Sequence, residues 1–108
     1  MIRHWIALRH AHAEAQSADG NDFSRELSER GREEARRAAD ALAAMLDGRV
    51  PRIVASPAAR AEATAQIVAD RLGDTVGYNA RIYDATPGAL LDVFNATGPT
   101  ETVLLVGH

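Results

Sequence analysis

The chain has 108 residues, about the usual length of one domain, and 46% of them are hydrophobic against 25% charged; this predicts one folded domain, 1–108, and excludes a largely disordered protein. Twelve Lys and Arg residues against fifteen Asp and Glu leave a net charge of -3, so no general nucleic-acid surface, which needs a basic stripe, is expected. There is no cysteine, which excludes disulfides, thiolate metal sites and cysteine nucleophiles.

We do not expect the first residues to be a signal peptide. Arg3, His4, Arg9 and His10 interrupt the apolar residues before they reach the length of a signal-peptide core. The longest apolar run near the other end, 103–106, is too short to span a bilayer. We therefore expect a cytoplasmic protein with no membrane partner.

The first third of the chain predicts a strand, a loop and a helix. Residues 2–8 form a short, mainly apolar stretch bounded by charge, which is consistent with a buried strand, and residues 16–25 are rich in turn formers. Ser28 is a plausible N-cap for a helix, because apolar residues then recur at spacings of three and four. Gly48 supplies the signal for its end.

The remainder of the chain continues the alternation of strands and helices. A strand at 52–56 is followed by Pro57, which suits the first turn of a helix that ends at Gly73. A weaker strand is predicted at 81–83, a helix from Pro87 to Pro99, and a β-branched, leucine-rich strand at 102–106. Such an alternation predicts an α/β domain with a mainly parallel sheet.

Residues able to bind anions or transfer protons follow each predicted strand. In a parallel sheet the carboxyl ends of the strands share one edge, which is where ligands bind. Singly, each of these residues has an ordinary explanation as a surface charge, a turn residue or a chain end. Together they bring two arginines, two histidines and a carboxylate to one edge: Arg9 and His10, Arg60, Asp84, and His108.

This set of side chains suits a phosphoryl group. Guanidinium groups match phosphate oxygens in a bidentate manner, and a neutral imidazole can attack phosphorus near pH 7. A second histidine can hydrogen-bond the equatorial oxygens in the transition state. The helix that begins near Ala58 adds backbone amides and a favourable dipole if it points at the site.

Four motifs in order resemble those of the histidine phosphatase superfamily, the phosphoglycerate mutase-like group. They are L-R-H-A (8–11), L-S-E-R-G-R-E-E-A (27–35), S-P-A-A-R-A-E-A-T-A (56–65) and V-G-H (106–108). The short length and the alanine after Arg9-His10 resemble the SixA-type phosphohistidine phosphatase branch. The resemblance implies a three-layer α/β/α fold and no metal or organic cofactor.

The resemblance also implies roles for single residues. His10 would be the nucleophile, Arg9 and Arg60 would clamp the phosphate, and His108 would complete the phosphate site. Asp84 lies in the region where mutases and broad phosphatases of the family place a proton donor, although the match there is loose. A phosphoramidate substrate, with its nitrogen leaving group, would need such an acid less than a phosphoester does.

The end of the chain departs from the family pattern. Relatives continue beyond the second catalytic histidine with a further helix and more sheet, whereas this sequence stops at His108. We therefore expect the chain to be a C-terminally truncated part of a longer protein. The expected partner is a phosphorylated protein or a small phosphorylated compound, and the sequence leaves the choice and the oligomeric state open.

Two other functions remain open at this point. His10 and His12 form an H-x-H pair that, with Asp84 and His108, would suit a zinc-type hydrolase, although Arg9 would place a cation beside the metal. An inactive phosphate-binding module would keep the arginines without turnover. We interpret His12 as a loop residue that takes no part in the reaction.

Overall fold

The computed structural model describes residues 4–49, 51–82 and 102–107, and these contain one parallel sheet of four strands. The sheet order is first, fourth, second, third, so the last of the described strands lies between two earlier ones. The predicted α/β class is confirmed. In chain order the strands are β1 (His4–Arg9), β2 (Arg52–Ala55), β3 (Val76–Tyr78) and β4 (Thr102–Gly107).

The central strand β4 is buried along its whole length. Leu104 lies in register with Ile6 of β1 on one side and with Ile53 of β2 on the other. Strands that are covered on both faces of a parallel sheet carry near-continuous apolar runs. Burial on both faces of the sheet therefore explains the run of Val and Leu residues that predicted the strand at 102–106.

Two helices precede and follow β2, and their ends match local signals. In α1 (Glu29–Leu46) the side chain of Ser28 accepts a hydrogen bond from the Gly31 amide, as a helix N-cap does. The helix α2 (Ala59–Leu72) ends at Gly73, whose φ of 72° is the left-handed conformation that glycine adopts readily. Neither helix among the described residues is long and apolar enough to cross a membrane.

The end of α1 differs in detail from the prediction at Gly48. The left-handed cap residue is Asp47, with a φ of 48°, and Gly48 follows it with a φ of 83°. Aspartate tolerates the left-handed region better than most residues. The glycine therefore serves the second left-handed position of this turn.

Both helices pack against the same face of the sheet. Their apolar side chains form one core with alternate residues of the strands: Ala39, Leu42, Ala61, Ala65, Val68, Ile53, Ala55, Leu104 and Val106. The opposite face is buried around a second cluster of Val54, Ile82, Val103 and Leu105. The helix predicted between Pro87 and Pro99 lies outside the described residues.

The strand predicted at 81–83 is wrong where the structure describes it. Residues Ala80–Ile82 form a 3-10 helix, and the strand paired with β2 is Val76–Tyr78. The pairing described between the two strands reaches the bond from the Asn79 amide to the Ala55 carbonyl. Pro57, which comes soon after β2, has no N–H to donate to a further bond. Ile82 is nevertheless buried, at 1% exposure.

Candidate active site

His10 follows directly after β1, at the carboxyl edge of the sheet. Its backbone amide donates to the carbonyl oxygen of Gly107 at 2.9 Å, which fixes the residue against the end of β4. Its ring Nδ1 lies 2.8 Å from the carbonyl oxygen of Ala11. Because a carbonyl only accepts, Nδ1 carries the proton, and the lone pair of the neutral ring is on Nε2.

Arg60, in the first turn of α2, points at that lone pair. Its Nε donates to His10 Nε2 at 3.3 Å, although fifty positions separate the two residues. The guanidinium is almost fully buried, at 5% exposure, so its charge acts in a medium of low dielectric constant. The structure thus brings together the nucleophile and one of the clamp arginines predicted from the sequence.

Two further charged residues reach the same place from the loop after β1. The carboxylate of Asp22 accepts from Arg60 Nη2 at 3.1 Å, and its carbonyl oxygen accepts from Nη1 at 2.7 Å. Arg25 Nε lies 3.0 Å from the other carboxylate oxygen of Asp22. That last contact is an ion pair without hydrogen-bond alignment, since Nε of Arg25 is buried and makes no hydrogen bond.

The surroundings of His10 favour its neutral form. Burial lowers the pKa of the ring below 6.5, and the positive charges of Arg60, Arg9 and Arg25 lower that pKa further, against an opposing effect of the bond to Ala11. Desolvation and nearby like charge both disfavour an imidazolium. Arg9 itself is exposed at the end of β1, so it acts on His10 through its charge.

Thr64 links the chain next to His10 with Arg60. Its hydroxyl accepts from the amide of Ala11 at 3.1 Å and donates to the carbonyl oxygen of Arg60 at 2.8 Å. The side chain is buried, at 2% exposure. One hydroxyl therefore couples the chain just after His10 to the first turn of α2.

His12 has a structural position next to the site. Its Nδ1 lies 2.7 Å from the hydroxyl oxygen of Ser28, its backbone amide donates to Glu34 at 3.0 Å, and its carbonyl oxygen accepts from the Ser28 amide. A Cβ on Gly31 would overlap that carbonyl. The L-S-E-R-G segment thus docks the start of α1 on the loop that carries the nucleophile.

Of the other residues predicted for the site, Asp84 and His108 lie outside the described residues. The neighbour of His108 in the chain, Gly107, accepts from the His10 amide, and Val106 accepts from the amide of Ser56. The carboxyl ends of β1, β4 and β2 are therefore adjacent. This adjacency is the premise on which His108 was assigned to the site.

The ring nitrogens of the H-x-H pair contact other groups, and the further ligands of the metal hypothesis, Asp84 and His108, lie outside the described residues. His10 directs Nε2 at a guanidinium, and Nδ1 of His12 contacts Ser28. Among residues 4–49, 51–82 and 102–107 there is no group of three His, Asp or Glu side chains placed to hold a metal ion. The donor set favours an anion, because arginine binds anions and repels cations.

Asp22 and Arg25 were not singled out by the sequence. They lie in the polar segment 16–25, which contains only a 3-10 helix (Asp22–Ser24), and loops carry no periodicity that would assign a direction to a side chain. A signal was nevertheless available: Arg25 lies three residues before the N-cap Ser28. A helix start docked at the site would bring Arg25 close to His10.

The chain is similar to known proteins in sequence and in fold. Residues 5–93 match the histidine phosphatase superfamily (branch 1). No curated protein sequence matches significantly. Among solved structures, the protein assigned as phosphohistidine phosphatase SixA of Agrobacterium tumefaciens is 36% identical, with a TM-score of 0.84 over 96% of this chain and 67% of that one.

Two more solved structures have the same fold. The protein assigned as SixA of Nakamurella multipartitia is 28% identical, with a TM-score of 0.78, and matches 96% of this chain and 58% of its own. A SixA protein histidine phosphatase in complex with tungstate is 24% identical, with a TM-score of 0.81, over 96% of this chain and 68% of that one. The chain therefore spans roughly three fifths to two thirds of these relatives.

Proposed function

Because the chain belongs to the histidine phosphatase superfamily, we propose that it is a phosphatase that works through a covalent phosphohistidine intermediate on His10. The observation that carries this proposal is the state of the His10 ring. Nδ1–H donates to Ala11, and the lone pair on Nε2 faces the buried guanidinium of Arg60. A neutral imidazole held in this tautomer beside a phosphate-binding cation is suited to in-line attack on phosphorus.

The reaction has two steps. A phosphoryl group binds to Arg60, Arg25 and Arg9, Nε2 of His10 forms a bond to phosphorus, and the bond from phosphorus to the leaving group breaks. The leaving group takes up a proton, for which Asp84 is the proposed donor when that group is an oxygen. Water then attacks the phosphohistidine, which releases phosphate and restores neutral His10, while His108 is proposed to bind the equatorial oxygens.

The substrate that we propose is phosphohistidine in a protein, with a small phosphorylated compound as the second possibility. Similarity to the Agrobacterium protein at 36% identity supports this class. The chemistry supports it as well, because an imidazole is a better leaving group than an alkoxide and depends less on a general acid. Such a phosphorylated partner protein would be cytoplasmic.

Trapping of the phosphoenzyme tests the mechanism. The chain is incubated with ³²P-labelled phosphoramidate, quenched in alkali, and scored for protein-bound label that is stable to base and labile to acid. We expect label in the wild type and none in His10→Ala. Wild-type chain without any label, with orthophosphate binding intact, would instead indicate a phosphate-binding module that does not turn over.

His12→Asn is the matched control for this experiment. An asparagine side chain can keep a hydrogen bond to Ser28, which His12 Nδ1 contacts at 2.7 Å, and it removes the only other ring nitrogen nearby in sequence that could accept a phosphoryl group. We expect this variant to be labelled like the wild type. Label that disappears in His12→Asn and persists in His10→Ala would contradict the assignment of the nucleophile.

A chelator tests the alternative of a zinc-type hydrolase. Activity abolished by a chelator and restored by zinc would support that alternative.

A further inference from the structure

Asp22 holds both of the arginines that approach His10 from the loop and from α2. Its two carboxylate oxygens lie 3.0 Å from Arg25 Nε and 3.1 Å from Arg60 Nη2. Its carbonyl oxygen takes the remaining terminal nitrogen of Arg60 at 2.7 Å. One residue therefore engages the same guanidinium nitrogens that the proposed function assigns to a phosphoryl group.

A carboxylate and a phosphoryl group use these nitrogens in the same way. Both present two oxygens to the planar fork of a guanidinium. Arg60 Nε is directed at His10 Nε2, so a phosphoryl group placed for attack by that atom would meet the terminal nitrogens of Arg60 while they are bound to Asp22. The two anions compete for one set of donors.

The two sides of this ion pair differ in how firmly they are held. Arg60 is 5% exposed and anchored in the first turn of α2, whereas the side chain of Asp22 is 54% exposed. Asp22 belongs to a three-residue 3-10 helix inside an irregular loop. Ion pairs with an exposed member contribute little net stability, so the carboxylate is the group that gives way.

We propose that Asp22 is a specificity-determining residue: its carboxylate is an internal anion on Arg25 and Arg60, and a phosphoryl group binds by displacing it. The proposal rests on the proposed function for the role of these arginines. A dianionic phosphoryl group outcompetes a single carboxylate by charge, whereas monoanions such as acetate do not. The same competition weakens the binding of product phosphate and so favours its release.

The test is the affinity of inorganic phosphate for the wild type and for Asp22→Asn, measured by titration calorimetry at fixed ionic strength. Asparagine keeps the shape of the side chain and the backbone acceptor but removes the competing charge. We expect phosphate to bind about three- to five-fold more tightly in Asp22→Asn, the upper part of the range for the loss of a partly exposed ion pair. Asp22→Ala is expected to change the affinity in the same direction.

Glu26→Gln is the matched control, because it removes an exposed carboxylate from the same loop at a residue with no contact to Arg60 among the interactions described above. We expect its phosphate affinity to stay within about two-fold of the wild type, since an exposed charge is largely screened. An equal gain in Glu26→Gln would overturn the proposal in favour of a general charge effect. Weaker or unchanged phosphate binding in both Asp22 variants would show that Asp22 only positions the arginines.

Failure of the inference and failure of the proposed function give different results. If the wild type forms the phosphoenzyme but Asp22→Asn binds phosphate no better, the inference is wrong and the function stands. If no phosphoenzyme forms but Asp22→Asn binds phosphate more tightly, the Asp22 carboxylate competes with phosphate as inferred, and the proposed phosphatase reaction is wrong. If neither chain binds phosphate, both proposals are overturned.

Discussion

The charge state of His10 depends on neighbours that come from three separate segments of the chain. Burial of the ring is the largest effect that lowers its pKa below 6.5, followed by the charges of Arg60, Arg9 and Arg25. A phosphoryl group needs those same cations for binding. In the proposed reaction the arginines therefore serve both partners, since they attract the anion and lower the pKa of the proposed nucleophile.

The first prediction concerns this coupling. Replacing Arg9 by Gln removes a positive charge that disfavours the imidazolium, so the pKa of His10 should rise toward 6.5. The shift is measured by NMR titration of the His10 ring. In kcat/KM the acidic limb should move to higher pH in the same direction, because the protonated ring cannot attack.

Arg36→Gln is the control for this titration. Arg36 is an exposed residue of α1 that pairs with Glu33 at 3.1 Å, and it is not among the arginines whose charges lower the pKa of His10. Its replacement should leave the titration of His10 unchanged. A His10 pKa that falls in Arg9→Gln would contradict the assigned sign of the interaction.

At the scale of residues, the sequence predicted the groups that follow strands better than those in the loop. His10 and Arg60 were predicted together because His10 follows β1 directly and Arg60 lies in the first helical turn after β2, and their ring and guanidinium nitrogens are 3.3 Å apart. Asp22 and Arg25 were missed because their direction is set by contacts and not by periodicity. Thr64 was part of a recognised motif, but its two hydrogen bonds depend on α2 lying beside the loop after β1.

At the scale of elements, the contact between α1 and the nucleophile loop depends on Gly31. A Cβ at this position would overlap the backbone carbonyl of His12, and backbone atoms cannot move aside as a flexible side chain can. We predict that Gly31→Ala lowers the free energy of unfolding by about 2–3 kcal/mol, as overpacking does. Urea denaturation measures the change.

Gly73→Ala is the comparison for this second prediction. It introduces the same methyl group where there is open space, and its cost comes only from a φ of 72°, worth about 1 kcal/mol. The labelling of His10 should fall in Gly31→Ala, since the displaced loop carries the nucleophile, and should persist in Gly73→Ala. Equal effects of the two substitutions would argue against the docking contact.

The elements themselves were predicted where a residue gives a local signal. Ser28 and Gly73 bound their helices as expected, because capping is decided within one turn of the chain. The third strand was misplaced because its position depends on the length of β2, with which it pairs. A short edge strand such as Val76–Tyr78 has little pattern of its own.

At the scale of the whole molecule, the sheet depends on β4. Leu104 is fully buried and lies in register with residues of β1 and β2 at once. We predict that Leu104→Ala lowers the free energy of unfolding by about 2–5 kcal/mol, the usual cost of a cavity in a core. Met45→Ala, at a residue 55% exposed, should change it by less than about 0.5 kcal/mol.

The order of the strands in the sheet could not be predicted from the sequence. Alternation of strands and helices predicted a parallel sheet, and the parallel pairings confirm it. Many orders satisfy the same alternation, however, because which strands become neighbours depends on how the connections pack. A central place for β4 could be inferred only from its unbroken apolar run, which indicates burial on both faces.

The strand β4 follows the other described strands in the chain, so it leaves the ribosome after them. Within the described sheet β1 is joined to β2 only through β4, and a chain is made from its N-terminus at about 5–20 residues per second. A nascent chain that has not yet released Val106 and Gly107 lacks the backbone acceptors for Ser56 and His10. The backbone bonds that hold the segments after β1 and β2 against β4 therefore cannot form until residues 102–107 have been released.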